Sequence, residues 1–388
     1  MIKSLKNRYY NPALATFKSQ MLHYNLVTKY LTFLRQLKNS FNEQNMIAQE
    51  KHRDSGVKLD VVETIHDLYG LEDKWNQLLK GSSKHTVFQT WLWHVLWWKY
   101  FGVKYRLHIV TVSQDDGTLI GIAPFFLYED KVCGSTLAFI GGEDVTDYKD
   151  FIVATGWEQI FFTTLSSFLI DHSLKWDQLY LSHLPDTYHF LDLTRPVFNY
   201  MQIDKIQSEV CPFIELPTSW DAYLQRLDKK DRHELKRKLN KLEREVRCAM
   251  VITEHNDIEK AVNSFLRVHK LSRVDKSLFM DNKKAEFFLD VAKAFFKFHM
   301  FELPILYING AVAASLFCFI YGDTVYIYNS GYDPSYSKWS PGIAIISFYI
   351  QKCIEKGRTS LDFLRGNESY KYGFGVQEKP LFTIRIWK

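Results

Sequence analysis

The side chains best suited to chemistry lie close together near the C-terminus. Ser340-Pro341-Gly342 reads as a helix start, with serine at the cap and proline in the first turn. The unpaired N–H groups and positive dipole end of such a start favour a phosphate, and Gly342 permits close approach to the backbone. Lys338, Trp339, Ile343 and Ala344 flank it. An ordinary capped helix uses the same residues, so phosphate binding and plain capping both fit. Asp362, Arg365, Glu368, Tyr370 and Lys371 follow, at and beyond the end of the next predicted strand. Crossover geometry brings the carboxyl end of such a strand beside the helix start. Glu368 there can act as a general base, because partial burial raises a carboxylate toward neutrality. Arg365 and Lys371 can hold an anionic group, or with Asp362 they can form an ion-pair lattice that pins the loop. Thr324, Tyr326 and Tyr328 share one face of a strand by alternation, where half-buried packing is the ordinary role of tyrosine.

The elements that must position these groups are legible from punctuation. Leu303 to Ile308 ends in Asn309-Gly310, a type I′ hairpin dipeptide, and Ala311 to Tyr321 and Thr324 to Tyr332 extend it to a three-strand meander. A helix from Pro341 runs to Gly357, and Ser360 to Leu364 reads as a strand parallel to one of the meander. The same order occurs earlier: a meander over 106–140 with its turn at Gly117, a helix from about Trp157 to His172, and a strand at Gln178 to Ser182. Two helical stretches precede each meander. The chain therefore reads as a tandem of two α-α-β-β-β-α-β units. Between them, Asp221 to Arg247 reads as one charged helix with a leucine stripe, either solvated on its basic side or meeting phosphates there.

Composition bounds the answer. The 388 residues, 46% of them hydrophobic and 16% aromatic, can build a core without disulfides or a structural metal. Residues 1–55 carry nine Lys and Arg against three Asp and Glu, so this arm holds +6 of a total of +5 and the remainder is −1. A basic arm is indicated, and a polyanion-binding body is not. Five scattered cysteines without a CxxC pair point to reduced thiols in a cytoplasm. No histidine cluster has compact metal-ligand spacing. Trp91, Trp93, Trp97 and Trp98 fall on one predicted helix, where core packing is expected and a sugar platform is conceivable for one of them.

The run Tyr336-Ser337-Lys338-Trp339-Ser340-Pro341-Gly342, a helix, and then Leu361-Asp362-Phe363-Leu364-Arg365-Gly366-Asn367-Glu368-Ser369-Tyr370-Lys371-Tyr372-Gly373 resembles the C-terminal signature of the bacterial CelD/BcsL-like proteins of the GNAT acetyltransferase superfamily, which are similar to FemAB-type transferases. Phe88-Gln89-Thr90-Trp91 and Asp147-Tyr148-Lys149-Asp150 resemble that family's N-terminal half. The resemblance implies a mixed α/β (α+β) fold, a tandem duplicated GNAT-like domain with mostly antiparallel sheets flanked by helices. It implies an extension at 1–55, a first domain at 56–210 and a donor-binding domain at 211–388. It implies transfer from acetyl-CoA or another acyl-CoA, without a metal, to the amine of a small metabolite or of an amino sugar or exopolysaccharide precursor. Lys338, Trp339, Ser340, Gly342, Ile343 and Ala344 would then hold the donor. Tyr326, Glu368 and Tyr370 would be catalytic, with a tyrosine protonating the thiolate. Asp147, Tyr148, Asp362, Arg365 and Lys371 would hold the acceptor. Gly342 and Ala344 match the last two places of the superfamily's Gln/Arg-x-x-Gly-x-Gly/Ala cradle, while Trp339 stands at the first with Lys338 beside it. Two alternatives stay open: a FemAB-like transferase using aminoacyl-tRNA, for which nucleic acid would be a partner, and a non-catalytic component of a polysaccharide-making assembly. The arm at 1–55 is expected to dock on the body, on a membrane surface of a cytoplasmic protein, or on a partner.

Overall fold

The computed structural model describes residues 56–82, 85–172, 175–185, 187–253 and 257–388. The basic arm and its expected contacts lie outside them. Residues 58–388 form one compact unit. Its first half begins with strand β1 (Val57–Val62) and passes through helices α1 (Ile65–Gly70), α2 (Glu72–Gly81) and α3 (Trp91–Phe101) to a meander of β2 (Arg106–Gln114), β3 (Leu119–Asp130) and β4 (Gly134–Phe139). A short β5 (Ile152–Val153), helix α4 (Glu158–Asp171), β6 (Gln178–Leu184), α5 (Phe190–Thr194) and the long β7 (Gln202–Glu215) complete it. Helices α6 (Trp220–Arg226) and α7 (Lys229–Glu245) follow.

The same order then returns. It runs β8 (Cys248–Ile252), α8 (Ile258–Ser272), α9 (Val274–Phe279), α10 (Asn282–Phe296) and β9 (Phe301–Glu302), then β10 (Pro304–Ile308), β11 (Ala311–Tyr321) and β12 (Thr324–Tyr332). Helix α11 (Pro341–Glu355), β13 (Ser360–Asp362), α12 (Ser369–Tyr372) and β14 (Gln377–Trp387) close the chain. Asn309 and Gly310 both have positive φ, 52° and 85°, as the I′ turn requires.

The strands form one mostly antiparallel sheet in the order β1-β2-β3-β4-β6-β14-β7-β13-β12-β11-β10-β8. The crossover helix of each half makes one parallel pair, β4 with β6 and β12 with β13. The expected tandem of two like halves is therefore present, with a feature that the sequence does not reveal. Each half gives away its final strand: β7 pairs with β13 of the second half, and β14 pairs with β6 of the first. The two pair with each other from Gln202 opposite Trp387 to Phe213 opposite Gln377. The boundary expected at 210/211 thus falls inside β7, and the halves share one sheet. The helix expected over 221–247 is also broken at Leu227, whose extended backbone (ψ 146°) turns its side chain onto Gly375 in the core.

An aromatic core joins the halves on one face of the sheet. Trp93 of α3 meets Phe287 of α10 and Phe319 of β11 edge to face, at 5.7 and 5.6 Å between centroids. Lys99 of α3 reaches Asp290 of α10 at 2.6 Å. On the other face, α11 buries Ile345, Ile346, Ile350 and Ile354 with Leu235 and Leu242 of α7.

Candidate active site

Where β12 ends, the sheet opens. Gly331 makes this possible, because a Cβ there would lie 2.4 Å from the backbone N of His269, so only glycine lets α8 rest on the strand. The chain leaves β12 through a 3-10 turn, Pro334–Trp339, and enters α11 at Ser340. Ser340 occupies the capping place in the left-handed region (φ 51°, ψ 53°), and no side chain caps the helix. The backbone N–H groups of Ile343 and Ala344 turn inward onto the Ser340 carbonyl, both at 3.0 Å. The serine cap expected from the sequence is absent, and the helix start is left open to a ligand.

A cavity of about 390 Å³ lies against this start. Ser340, Gly342 and Ile343 face it, as do Lys276 of α9 and Arg273, which precedes that helix and pairs with Asp275 at 2.9 Å. A Cβ at Gly342 would touch only Tyr332, at 3.6 Å. A second cavity of about 390 Å³ is lined by Asp144, Asp147, Glu209, Asn329 and Arg365 among others. Lys276, Ser330, Glu368 and Tyr370 belong to both walls, so the junction of the two cavities is made of an ammonium, a hydroxyl, a carboxylate and a phenol. Burial, helped by Arg273, lowers Lys276 to about 8, and its Nζ donates to the Ser330 carbonyl at 2.5 Å. Burial raises the Tyr370 phenol to about 12, which keeps it protonated at neutral pH.

Several expected residues have other roles. Burial pushes Glu368 up, but the Lys371 ammonium at 2.9 Å outweighs it and holds the carboxyl below the usual range, contrary to the raised pKa expected. Lys371 is itself buried and donates to the carbonyls of Arg365 (2.8 Å) and Gly366 (3.0 Å), so it braces the loop and is not free to hold a ligand. Arg365 is likewise spent: its guanidinium binds Asp147, His183 and the Glu143 carbonyl and ties the loop after β13 to the loop after β4. Both residues pin loops, as the lattice alternative expects, but neither pairs with Asp362, which is engaged by Tyr148 and Lys379. Lys338 and Trp339 turn away from the donor cavity. The Trp339 indole donates to Glu245 of α7 at 3.2 Å, and the Lys338 ammonium lies 3.9 Å above that ring. Ala344 is buried in the core behind the helix.

Tyr326 and Asp362 oppose each other across β12 and β13 and, with Tyr148, line a separate cavity of about 160 Å³. The Tyr148 hydroxyl donates to Asp362 at 2.7 Å, and burial raises that carboxyl. Alternation did put Tyr326 on the expected face. However, the first cavity opens at Ser330 to Tyr332, four residues further along the strand, so Tyr326 does not line it. Conversely, Arg273 and Lys276 escaped the sequence reading. Nothing in the run 272–276 marks the break at Arg273 (φ −160°) that starts α9 and sets Lys276 against the cavities.

Comparison with known proteins agrees with this geometry. Residues 229–372 match the model of the acetyltransferase (GNAT) domain, the stretch that carries both cavities' shared wall. No curated protein matches the chain. Among solved structures, the chain is similar to FemX (TM-score 0.57, 9% identity, covering 81% of this chain and 95% of that one). It is similar to a conserved protein of unknown function from Bacteroides thetaiotaomicron (0.55, 11%, 85% and 100%). It is also similar to the C-terminal DUF2156 domain of a putative lysylphosphatidylglycerol synthetase from Agrobacterium fabrum (0.53, 8%, 83% and 92%). At such identities these likenesses speak for the fold. The match of residues 229–372 to an acetyltransferase (GNAT) domain supports an acyltransferase enzyme.

Proposed function

We propose that the protein transfers an acyl group from acyl-CoA, acetyl-CoA first among them, to an amine that enters through the second cavity. The observation that carries this is the pair of abutting cavities, one at a helix start without a side-chain cap and beside two cations, the other polar, with Lys276, Glu368 and Tyr370 in the wall they share. Coenzyme A fits the first cavity. The diphosphate would meet the start of α11 with Arg273 in place of the usual cradle arginine, and the pantetheine would run along the opened end of β12.

At the junction the amine nitrogen attacks the thioester carbonyl. A C–N bond forms, the C–S bond breaks, the amine loses a proton and the thiolate gains one. Glu368, held ionised, accepts hydrogen bonds from the incoming ammonium and aims it; one proton leaves for solvent through the open second cavity before the neutral amine attacks, and the second, lost once the C–N bond has formed, balances the one given to the thiolate. Tyr370, held protonated, donates to the oxyanion. Lys276, at about 8, is matched to giving a proton to a thiolate at neutral pH.

Calorimetry with coenzyme A and thiol release over a panel of amines test the reading together; no heat at millimolar ligand counts against it. Lys276 adds a pH signature. As the pH rises from 7 through 9 this lysine loses its proton, so kcat is expected to fall, with an inflection near 8. Lys276→Met should flatten the profile. Lys276→Arg should keep coenzyme A affinity yet lower kcat about 100-fold, within the usual contribution of a proton donor. A pH profile unchanged in both variants removes Lys276 from the reaction.

A second donor has one observation in its favour. Helix α7 exposes Lys229, Lys230, Lys236, Arg237 and Arg244, and its Lys241 binds the Lys338 carbonyl in the turn that leads to α11. Aminoacyl-tRNA could use such a surface, and its binding would weaken steeply with salt where that of coenzyme A would not.

A further inference from the structure

The first half has a cavity of its own. It holds about 470 Å³ between the last turn of α4 and the β2–β3–β4 meander, and it shares no lining residue with the two cavities of the candidate active site. Its floor is built by register. Arg106 stands opposite Leu127 across β2 and β3, and Leu127 opposite Leu137 across β3 and β4, so these side chains and His108 belong to one face of the sheet. Leu127 and Leu137 make the floor, with Leu169 of α4 and Trp176 beyond them, and all four are buried. The Trp176 indole donates to the Leu169 carbonyl at 3.1 Å. Asp177 is tied to Ser135 of β4 through both backbone N–H groups, at 2.7 and 2.9 Å, so the connection after α4 is fixed to the sheet as the far wall.

The rim carries the opposite chemistry. Arg106, His108, His172 and Lys175 line it against one carboxylate, Glu63. That carboxylate lies 3.7 Å from His108 Nδ1, beyond hydrogen-bond reach, and is two-thirds exposed. Arg106 meets Glu129 only at 3.8 Å with both side chains largely in solvent, and Lys175 is exposed and meets no carboxylate among the described residues. The cations therefore keep charge to spare. Burial, and after it Lys175, His172 and Arg106, hold His108 below its ordinary value, while only Glu63 pulls the other way. Phe168 packs against both imidazoles, with centroids 4.2 Å from His172 and 6.4 Å from His108. The carbonyls that end α4 are already taken, by the Trp176 indole, by His172 Nδ1 at 2.9 Å and by the Lys175 N–H, which blunts the negative helix end that would repel an anion.

A buried aliphatic floor under a basic rim fits a ligand with a hydrocarbon body and one negative head. A bare anion would leave the floor unused, and a plain hydrocarbon would leave the rim unpaired. We infer that this cavity is a binding site for a medium-chain fatty acid, its carboxylate between Arg106 and Lys175 and its chain on Leu127, Leu137 and Leu169. The site stands independently of acyl transfer, because none of its residues reaches the junction of the other cavities.

The test is calorimetric titration of the full-length protein with decanoate below its micelle concentration, beside 1-decanol, which lacks the charge, and acetate, which lacks the chain. Decanoate should bind one to one with a Kd of about 50 µM, a modest affinity for a ligand of this size. Decanol should bind about fivefold more weakly and acetate not measurably. Arg106→Gln combined with Lys175→Gln, both exposed, should weaken decanoate about fivefold, as two solvent-facing cations do, and leave decanol as it was. Ser135→Phe, on the same strand face as Leu137, should cover the floor and weaken both ligands. Saturating coenzyme A should leave the decanoate isotherm unchanged. No saturable heat with decanoate, decanol binding as tightly as decanoate, or binding that survives both variants in protein that melts normally overturns the site. Displacement of decanoate by coenzyme A also overturns it and puts the carboxylate in the cavity at α11.

Discussion

Gly342→Trp is expected to abolish coenzyme A binding, with Kd raised at least about 100-fold, while the protein melts as the wild type does. The affinity loss follows from geometry: the new side chain leaves the first turn of α11 toward Tyr332 and fills the cavity where the diphosphate would sit. A hundredfold is about 2.7 kcal/mol, less than the cost of displacing a diphosphate from the Gly342 N–H, the helix dipole and two cations. The fold should be spared because the Cβ meets nothing closer than 3.6 Å and Gly342 does not need a positive φ. A change at an exposed helix start of this kind stays within about 0.5 kcal/mol. Gly342→Ala, which adds only the Cβ, should bind nearly as well as the wild type. Unaltered affinity in the tryptophan variant would falsify the placement of the donor at α11.

Arg365→Met should act through stability and position together. The guanidinium is four-fifths buried and is the chief partner of Asp147, whose side chain is only 10% exposed. Removing one member of a buried pair leaves the other charge uncompensated, at a cost of roughly 3–5 kcal/mol. For a body of this size that lowers Tm by roughly 5–10 °C. The same change releases the loop that carries Glu368 from the loop at 141–150, so kcat should fall with it. Arg365→Lys should not rescue either quantity, because one ammonium cannot reach Asp147, His183 and the Glu143 carbonyl at once. If Arg365→Met lowers activity without moving Tm, the arginine acts on a ligand and the clamp is the wrong description.

The contrast between Lys371 and Lys276 shows what kind of information a sequence carries about a site. Both are lysines near chemistry-bearing loops. Lys371 stands in a recognisable run and looked available to a ligand, yet it is enclosed by three carbonyls and Glu368. Lys276 stands in a run without pattern, yet it lies where the two cavities meet. Spacing along the chain fixes neither outcome, since each depends on how a loop folds back on itself. Glu368 and Tyr370 share a cavity wall with the helix start because a βαβ crossover has one hand, which is a local rule. The direction of the Glu368 shift is not legible in the same way, because the deciding charge, Lys371, comes from a side chain whose burial only packing sets.

Turn chemistry, strand alternation and helix entry signals are interactions within a few residues, so the sequence alone determined both meanders, both crossover helices, the parallel strand of the second half and the location of a helix start at Ser340. The exchange of β7 and β14, the break between α6 and α7, the removal of Tyr326 from the donor side and the two linked cavities were decided only by the tertiary structure. Each depends on contacts between segments far apart in the chain, such as Trp387 against Gln202 or Arg365 against Asp147, and no short window of residues contains both partners.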